Sequence, residues 1–444
     1  MDQELARILI RQGPIRRRLV RKTGAHKLPG ALFCVSLLAL CTARASPQQN
    51  FRATAPSPAS VAGAETQKAL GPSASPSRTA AQSHTTAETP MATDERLEMP
   101  GWWPTKGTAS RRDFAGTAEC ARCHSKKTVT QLTTPMAHAS SAAGGSEILR
   151  EHEKISHQLG PYAYTISRSD SGSLYSVSDG IKTISEPLLW AFGLGNKGQT
   201  YIYRREGFYY ESQLSYYRTL RGLDLTTGHG SKTPDNLEDA LGRLIDPDTL
   251  RRCFGCHTTA STTTAGFEPA YLMPGVTCEA CHGPGAKHVD LMDDEKTELG
   301  RRAIFNPSRL NPVALVDFCG ACHRTWNDVY EMGVTGVVNA RFQPYRLENS
   351  RCWGDGDARL TCIACHDPHQ QLVHEARAYD EKCLACHVAA PMIKATRAHP
   401  GKPRPVGQKE CVNCHMPRVI VPNMHAPFTD HRIRIVRPGT PYPD

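Results

Sequence analysis

The chain has 444 residues, of which 39% are hydrophobic, and it contains 17 Cys and 19 His but only 11 Phe. With a mean hydropathy of −0.44, it has too little apolar material for a conventional core at this length, which predicts that bulky cofactors fill part of the interior. The net charge of +10 resides mainly in the first 45 residues; the remainder is nearly balanced and gives no support for nucleic-acid binding.

The first 45 residues are predicted to be a signal peptide. A basic stretch precedes the apolar run from Ala31 to Leu40, and Ala43-Arg44-Ala45 provides a small-residue cleavage site. The apolar run is too short to cross a bilayer comfortably. We therefore expect a periplasmic or otherwise exported protein, with membrane anchoring by an uncleaved signal as the alternative.

Residues 46–112 are rich in Ala, Ser, Thr and Pro and contain few large apolar side chains. Such a segment buries too little surface to offset the entropy lost on ordering, so we predict a disordered linker. The folded domain is then expected at 113–444.

The pattern Cys-x-x-Cys-His occurs seven times after the linker. It is the attachment signature of c-type haem. Two thiols three positions apart on a helical turn can form thioethers with the two haem vinyl groups, and the following His becomes the proximal iron ligand. The predicted attachment cysteines are Cys120, Cys123, Cys253, Cys256, Cys278, Cys281, Cys319, Cys322, Cys362, Cys365, Cys383, Cys386, Cys411 and Cys414. The predicted proximal ligands are His124, His257, His282, His323, His366, His387 and His415.

Two other uses of paired cysteines fit this pattern less well. Zinc sites take four ligands, and an odd number of motifs, each followed directly by His, does not divide into such sites. A Cys-x-x-Cys disulfide is strained and is usually catalytic. The sequence therefore predicts seven covalently bound c-type haems.

The motifs are unevenly spaced. The first, at 120–124, lies far ahead of the other six, which crowd into 253–415 and leave room only for short helices. Between them, the region near 160–220 alternates polar and apolar residues, and turn signals such as Asp179-Gly180 separate its runs. We predict a mainly α and irregular fold organised by its cofactors. It has an outlying first haem and a small antiparallel β subdomain inserted near 160–220.

The ligand on the second face of each iron decides between electron transfer and substrate chemistry, because a haem with two axial ligands has no open position. Histidines outside the motifs supply the candidates: His138, His152, His157, His229, His288, His369, His374, His399, His425 and His431. His288 and His369 follow Pro-containing turns after motif histidines, so they are expected to reach a neighbouring haem. Met136 competes with His138 and His157 as ligand to the first haem.

Several segments resemble the cytochrome c-552/4-type multihaem family. They are Gly275-Val-Thr-Cys-Glu-Ala-Cys-His-Gly-Pro-Gly, Phe305-Asn-Pro-Ser-Arg-Leu, Leu360-Thr-Cys-Ile-Ala-Cys-His-Asp-Pro-His, Cys411-Val-Asn-Cys-His-Met-Pro and His425-Ala-Pro-Phe-Thr-Asp-His431. The resemblance implies periplasmic electron transfer by mainly bis-His haems. As distal ligands it supports His157, His229, His288, His369, His399, His425 and His431. Relatives often carry tetratricopeptide repeats after the haem domain; here no such array is expected.

The leading functional hypothesis is an electron carrier, and a catalytic role is left undecided. Its partners are expected to be redox proteins, such as a membrane quinol oxidase or a terminal reductase. The alternative is a reductase of a small nitrogen or sulfur oxyanion with one open haem, for which the first haem is the candidate. Ammonia-forming nitrite reductases and tetrathionate reductases resemble this protein in haem crowding, but their catalytic haem uses a Cys-x-x-Cys-Lys motif, which does not occur in this sequence.

Overall fold

The computed structural model describes residues 109–263, 266–354, 359–387, 409–421 and 423–434. The predicted signal peptide, the linker up to residue 108 and the candidate ligand His399 lie outside these residues.

The helices of the described residues are short. The α-helices are α1 (Thr117–Gln131), α2 (Glu147–Glu151), α3 (Leu237–Leu241), α4 (Pro247–His257), α5 (Cys278–His282), α6 (Ala286–Asp293), α7 (Thr297–Arg302), α8 (Pro312–His323), α9 (Trp326–Glu331), α10 (Gln343–Glu348), α11 (Arg351–Gly354), α12 (Cys362–Cys365), α13 (Asp380–His387) and α14 (Cys411–His415). Turns of 3-10 helix occur at Arg111–Asp113, Ala143–Gly145, Pro269–Tyr271, Pro307–Arg309, Val337–Asn339 and Ala376–Tyr379.

The strands concentrate between the first and second motifs. They are β1 (Ser140–Ala142), β2 (Lys154–Leu159), β3 (Tyr162–Ser169), β4 (Gly172–Ser178), β5 (Thr183–Phe192), β6 (Thr200–Arg205), β7 (Phe208–Ser212), β8 (Leu214–Tyr217), β9 (Gly222–Leu225), β10 (Gly242–Leu244), β11 (Thr258–Ala260), β12 (Thr262–Thr263), β13 (Gly266–Phe267), β14 (Met273–Pro274), β15 (Arg418–Ile420) and β16 (Pro427–Thr429). An eight-stranded sheet has the order β10-β7-β6-β5-β4-β3-β2, with β1 paired to β5.

Local chemistry explains the hairpins of this sheet. Along β3, Tyr162, Tyr164 and Ile166 are buried on one face, as alternation predicts. Between β6 and β7, Glu206 and Gly207 both have positive φ, 53° and 90°. Two such residues in succession form the tight turn whose twist suits an antiparallel hairpin.

The β region is larger than the sequence predicts. Its sheet runs from Ser140 to Leu244 instead of covering only 160–220, and every strand pair in it is antiparallel. The edge strands β1 and β10 have only three residues each. Segments this short are joined to the sheet by pairing with β5 and β7, and their own sequences have no room for an alternating pattern.

An aromatic cluster joins the sheet to α4, which carries the second motif. Phe254 of α4 is fully buried, and its ring lies 5.0 Å from those of Trp190 and Phe192 on β5. Phe267 stacks on Phe254 at 4.0 Å. The sheet is therefore a support against which one motif helix packs, and its buried aromatic side chains are core residues.

Among the residues described, none of the helices has the length and apolar character needed to span a bilayer.

Candidate haem-binding sites

Each Cys-x-x-Cys-His motif lies on a helix; we number the motifs 1 to 7 in chain order. Helices α4, α5, α8, α13 and α14 end at the motif His, and α12 ends one residue before His366. In α1, His124 departs from helical geometry with φ −108° and ψ 34°. Because positions i and i+3 of a helix share a face, both motif cysteines are presented on one side.

The motifs associate in pairs. The thiols of Cys120 and Cys278 are in hydrogen-bonding contact, and so are those of two further pairs, Cys319 with Cys362 and Cys383 with Cys411. The helices that carry each pair also contact one another: α1 with α5, α8 with α12, and α13 with α14. Motif 2 lies beside motif 4, since the Cys256 sulfur is 3.7 Å from the Ala321 carbonyl oxygen. The structure thus brings together motifs 1 and 3, 4 and 5, and 6 and 7.

The expectation that motif 1 is outlying is wrong for the folded chain. Glu279, between the cysteines of motif 3, is 2% exposed, and its carboxylate accepts hydrogen bonds from the backbone N–H groups of Ala115 (2.8 Å), Gly116 (2.8 Å) and Gly285 (2.7 Å). Gly116 is the N-cap of α1, where backbone donors lack partners within the helix and favour negative charge. Glu279 therefore fastens the helix of motif 1 to motif 3.

Asp380 joins motifs 6 and 7 in a similar way. It is the first residue of α13, and its carboxylate accepts from the backbone N–H of Glu410 (2.7 Å) and of Cys411 (2.9 Å), where α14 begins. Hydrogen bonds from Cys411 and Glu410 hold the pKa of Asp380 below its ordinary value. A carboxylate from one motif helix thus fixes the N-terminus of its partner.

Sequence reasoning missed both carboxylates. A signal existed for Glu279, because it is the one acidic residue among the fourteen x positions of the seven motifs. Asp380 gives no comparable signal, since acidic residues are common at the first position of a helix.

Several histidines have the orientation that an iron ligand needs. An imidazole binds iron through Nε2 when its Nδ1 carries the proton and donates it to an acceptor. Three motif histidines donate from Nδ1 to backbone carbonyls: His257 to Ala139 (3.0 Å), His282 to Phe305 (2.8 Å) and His415 to Arg434 (2.7 Å). Three predicted distal ligands do likewise: His288 to the Gly300 carbonyl (2.7 Å), His369 to the Asp367 carboxylate (3.1 Å) and His431 to the Thr429 carbonyl (3.0 Å).

Two of these distal candidates face a motif histidine. The ring centroids of His282 and His369 are 6.1 Å apart with nearly parallel planes, at 17°. Those of His366 and His431 are 6.2 Å apart, at 47°. Metal–imidazole bonds are about 2.0 Å long, so two imidazoles on opposite sides of one iron have centroids about 6 Å apart. The centroid distances of both pairs therefore match the spacing of two imidazoles that share one iron.

Burial keeps these imidazoles neutral, as metal ligation requires. Loss of solvation lowers the pKa of His431 to about 4. The pKa values of His282 and His366 are lowered for the same reason. A neutral ring presents a lone pair on Nε2, whereas a protonated ring has none.

Two of the predicted distal ligands, His229 and His425, have Nε2 beside a carboxylate. His229 donates or accepts at both ring nitrogens: Nδ1 lies 2.7 Å from Oε1 of Gln213 and Nε2 lies 3.0 Å from Oε2 of Glu211. His425 has its Nε2 2.9 Å from Oδ2 of Asp224. These carboxylates occupy the nitrogens that iron would need. His157 lies half-buried on β2, opposite Tyr164 of β3.

A hydrogen bond at Nδ1 does not by itself identify an iron ligand, as two histidines outside the predicted distal set show. His152 donates from Nδ1 to the Ile148 carbonyl at 2.8 Å, but its Nε2 faces the Tyr216 hydroxyl at 3.5 Å. His138 has its Nε2 2.8 Å from the Leu132 carbonyl oxygen. Neither arrangement resembles the facing pairs at His282 and His366.

Comparison with known proteins points to the same class. The family model described as cytochrome c554 and c-prime matches residues 223–283, which contain motifs 2 and 3. The multiheme cytochrome MtrA of Shewanella baltica (strain OS185) is 23% identical, over 42% of this chain and 52% of that relative; the chain thus matches about half the length of this curated relative. The crystal structure of the outer cell wall cytochrome OcwA aligns with a TM-score of 0.44 and 16% identity, covering 73% of this chain and 80% of that one. With the Cys-x-x-Cys-His motifs, the family model and the curated relative identify the chain as a multihaem c-type cytochrome.

Proposed function

We propose that this protein transfers electrons between redox partners through seven covalently bound c-type haems, most of them with two axial histidines. The observation that carries the proposal is the pair of facing imidazoles, His282 with His369 and His366 with His431, at 6.1 and 6.2 Å. Each pair joins a motif histidine to one from elsewhere in the chain, and an iron held by both would have no open position.

The chain supplies attachment and ligation from separate segments. The fourteen motif cysteines would hold the haems and the seven motif histidines would be proximal ligands, with His369 and His431 distal at motifs 3 and 5. His288, whose Nδ1 is bonded to the Gly300 carbonyl, is a further distal candidate. When bound, each haem supplies an iron that cycles between the ferrous and ferric states.

The role proposed for the polypeptide is to hold these histidine ligands in fixed positions. Burial lowers the pKa of His282, His366 and His431, which favours the neutral ring that iron ligation requires. The contacts between paired motif helices bring attachment cysteines of different motifs against one another. Close placement of the attachment sites favours electron transfer from one haem to the next.

The cellular setting follows from the same proposal. Covalent haem attachment and the export signal predicted at residues 1–45 support a location in the periplasm or otherwise outside the cytoplasm. Its partners would be redox proteins, such as a membrane quinol oxidase or a terminal reductase.

The proposal is tested on purified mature protein. We expect seven haems per chain by mass and by haem absorbance. The electron paramagnetic resonance spectrum should be predominantly low-spin, and the protein should be oxidised and reduced reversibly. A spectrum dominated by high-spin haem would contradict the electron-carrier function, and a different stoichiometry would contradict the count.

A reductase with one open haem remains the second candidate, supported by one observation. Two of the seven predicted distal ligands, His229 and His425, have Nε2 beside carboxylates, an arrangement that would leave fewer distal histidines than motifs. Reduction of nitrite, hydroxylamine or tetrathionate by the reduced protein would support this function. No turnover with any of the three would exclude these substrates.

A further inference from the structure

A fully buried ion pair lies next to one of the facing histidine pairs. The guanidinium of Arg346, on α10, donates to both carboxylate oxygens of Asp430, with Nε–Oδ1 and Nη2–Oδ2 distances of 2.7 Å. The two side chains are 1% and 0% exposed. Two parallel hydrogen bonds of this kind fix both the distance and the orientation of the partners.

Asp430 directly precedes His431, and further bonds tie the same turn to α10 and the segment after it. The Ser350 hydroxyl donates to the His431 carbonyl at 3.3 Å and accepts from the Ile433 N–H at 2.8 Å. Asp430 Oδ1 also accepts from the Arg432 N–H at 3.1 Å. The backbone on both sides of His431 is therefore held from one direction, while the imidazole faces His366.

The burial of this pair needs a reason other than stability. Removing two charges from water is costly, and well-packed apolar residues in their place often give an equally stable or more stable protein. Buried ion pairs are best explained where they select one geometry over others. Here the geometry selected is that of the turn carrying His431.

We propose that Arg346 and Asp430 are a positioning pair that holds His431 against the sixth coordination position of the haem at motif 5. The inference rests on the proposed function, because it takes His431 as the distal ligand at His366. It adds that an ion pair between residues more than 80 positions apart in sequence keeps the ligand in place. It also adds that the haem becomes open to external ligands when this ion pair is broken.

The test uses the haem-loaded protein and compares three variants with a matched control. The first variant changes both partners of the ion pair. Arg346→Gln with Asp430→Asn removes both charges but keeps polar side chains of similar size, so neither charge is left buried alone. We expect one high-spin haem per chain and binding of about one equivalent of carbon monoxide to the reduced protein. The matched control is Arg302→Gln with Glu298→Gln, which removes an exposed ion pair and should leave the spectrum unchanged.

His431→Ala separates the inference from the proposed function. If His431→Ala gives the high-spin haem and the paired variant stays low-spin, the positioning role is overturned and the ligand assignment stands. If His431→Ala leaves the spectrum low-spin, His431 is not the ligand, and both the assignment and the inference fail.

A third variant covers failure of the paired variant to fold. Arg346→Lys keeps the charge but cannot make two parallel hydrogen bonds. We expect it to bind carbon monoxide faster than the unmodified protein at the same haem. Binding at the unmodified rate would overturn the positioning role.

Discussion

The carboxylate of Glu279 accepts a 2.8 Å hydrogen bond from the backbone N–H of Gly116, 163 residues earlier in the chain. The acceptor lies inside motif 3 and the donor caps the helix of motif 1. Between them the chain forms the whole antiparallel sheet and returns. The most remote motif in sequence is therefore a direct neighbour of motif 3.

Replacing Glu279 by Gln should weaken this junction. The Gln amide nitrogen cannot accept from the Gly116 N–H, and an unsatisfied buried donor costs about 1–3 kcal/mol. We expect the free energy of unfolding to fall by about 2 kcal/mol, measured by denaturant titration. The redox interaction between the haems of motifs 1 and 3 should change in a potentiometric titration.

Glu119→Gln is the control for that variant, because Glu119 is exposed and pairs with Arg122 at the surface. Its effect should stay within about 0.5 kcal/mol. Equal stability of the two variants would show that Glu279 is not what joins motifs 1 and 3.

The ligand assignments predict a clear division among histidine variants. His369→Ala and His431→Ala should each convert one haem per chain from low-spin to high-spin, read by paramagnetic resonance, because each removes one axial ligand. His229→Ala should convert none, since both ring nitrogens of His229 are bonded to other side chains.

His374→Ala provides the matched control, because His374 is exposed and lies close to His369 in sequence. It should leave the spectrum unchanged. A new high-spin signal in the His229 variant would identify His229 as a ligand and would mean that its bonds to Gln213 and Glu211 break when haem binds.

The junction between motifs 6 and 7 should depend on pH at the acid end. The pKa of Asp380 is lowered in the folded protein by hydrogen bonds from Cys411 and Glu410. A carboxyl with a lowered pKa stabilises the fold above its unfolded pKa, about 3.9. That stability is lost as the pH falls from there through the lower folded value.

Asp380→Asn should remove this contribution. We expect the variant to be less stable than the unmodified protein at neutral pH, and the difference to shrink as the pH falls below about 4, measured by thermal unfolding across the pH range. A difference that is independent of pH would show that ionised Asp380 is not stabilising the junction.

The aromatic contact between the sheet and α4 should be important for stability. Phe254 is fully buried against Trp190, Phe192 and Phe267, and Phe→Ala at such positions costs about 3–5 kcal/mol. Phe254→Ala should lower the unfolding free energy by that order, and we expect reduced haem incorporation at motif 2. Phe208→Ala, at a position 61% exposed, is the control and should have little effect on either measurement.

Local sequence pattern was sufficient to predict the features whose residues lie within a few positions of one another. Cys278 and Cys281 are presented together because three positions in a helix return to the same face, so the motif can be recognised without tertiary information. The buried alternation of Tyr162, Tyr164 and Ile166 likewise follows from the period of a strand. The three-residue strands β1 and β10 are too short to show an alternating hydrophobic pattern, so they were not predicted from the sequence.

Distal histidines show where local pattern fails. His369 follows a Pro-containing turn after motif 5, whereas His229 is a single histidine near polar residues. Neither local setting shows what the imidazole faces in the folded chain. Their difference lies in what faces them: Glu211 lies against one ring, and the motif histidine His282 lies opposite the other. Glu211 is 18 residues from His229 and His282 belongs to motif 3, so neither neighbour is among the adjacent residues.

The sequence by itself determined the haem motifs and the class of protein, because attachment chemistry is encoded in five consecutive residues. Only the tertiary structure decided which motifs are neighbours, through the buried carboxylate of Glu279 and the sheet that returns the chain to it. It also decided which histidines lie close to motif histidines, because such pairs depend on the convergence of side chains from separate segments, and convergence is a property of packing.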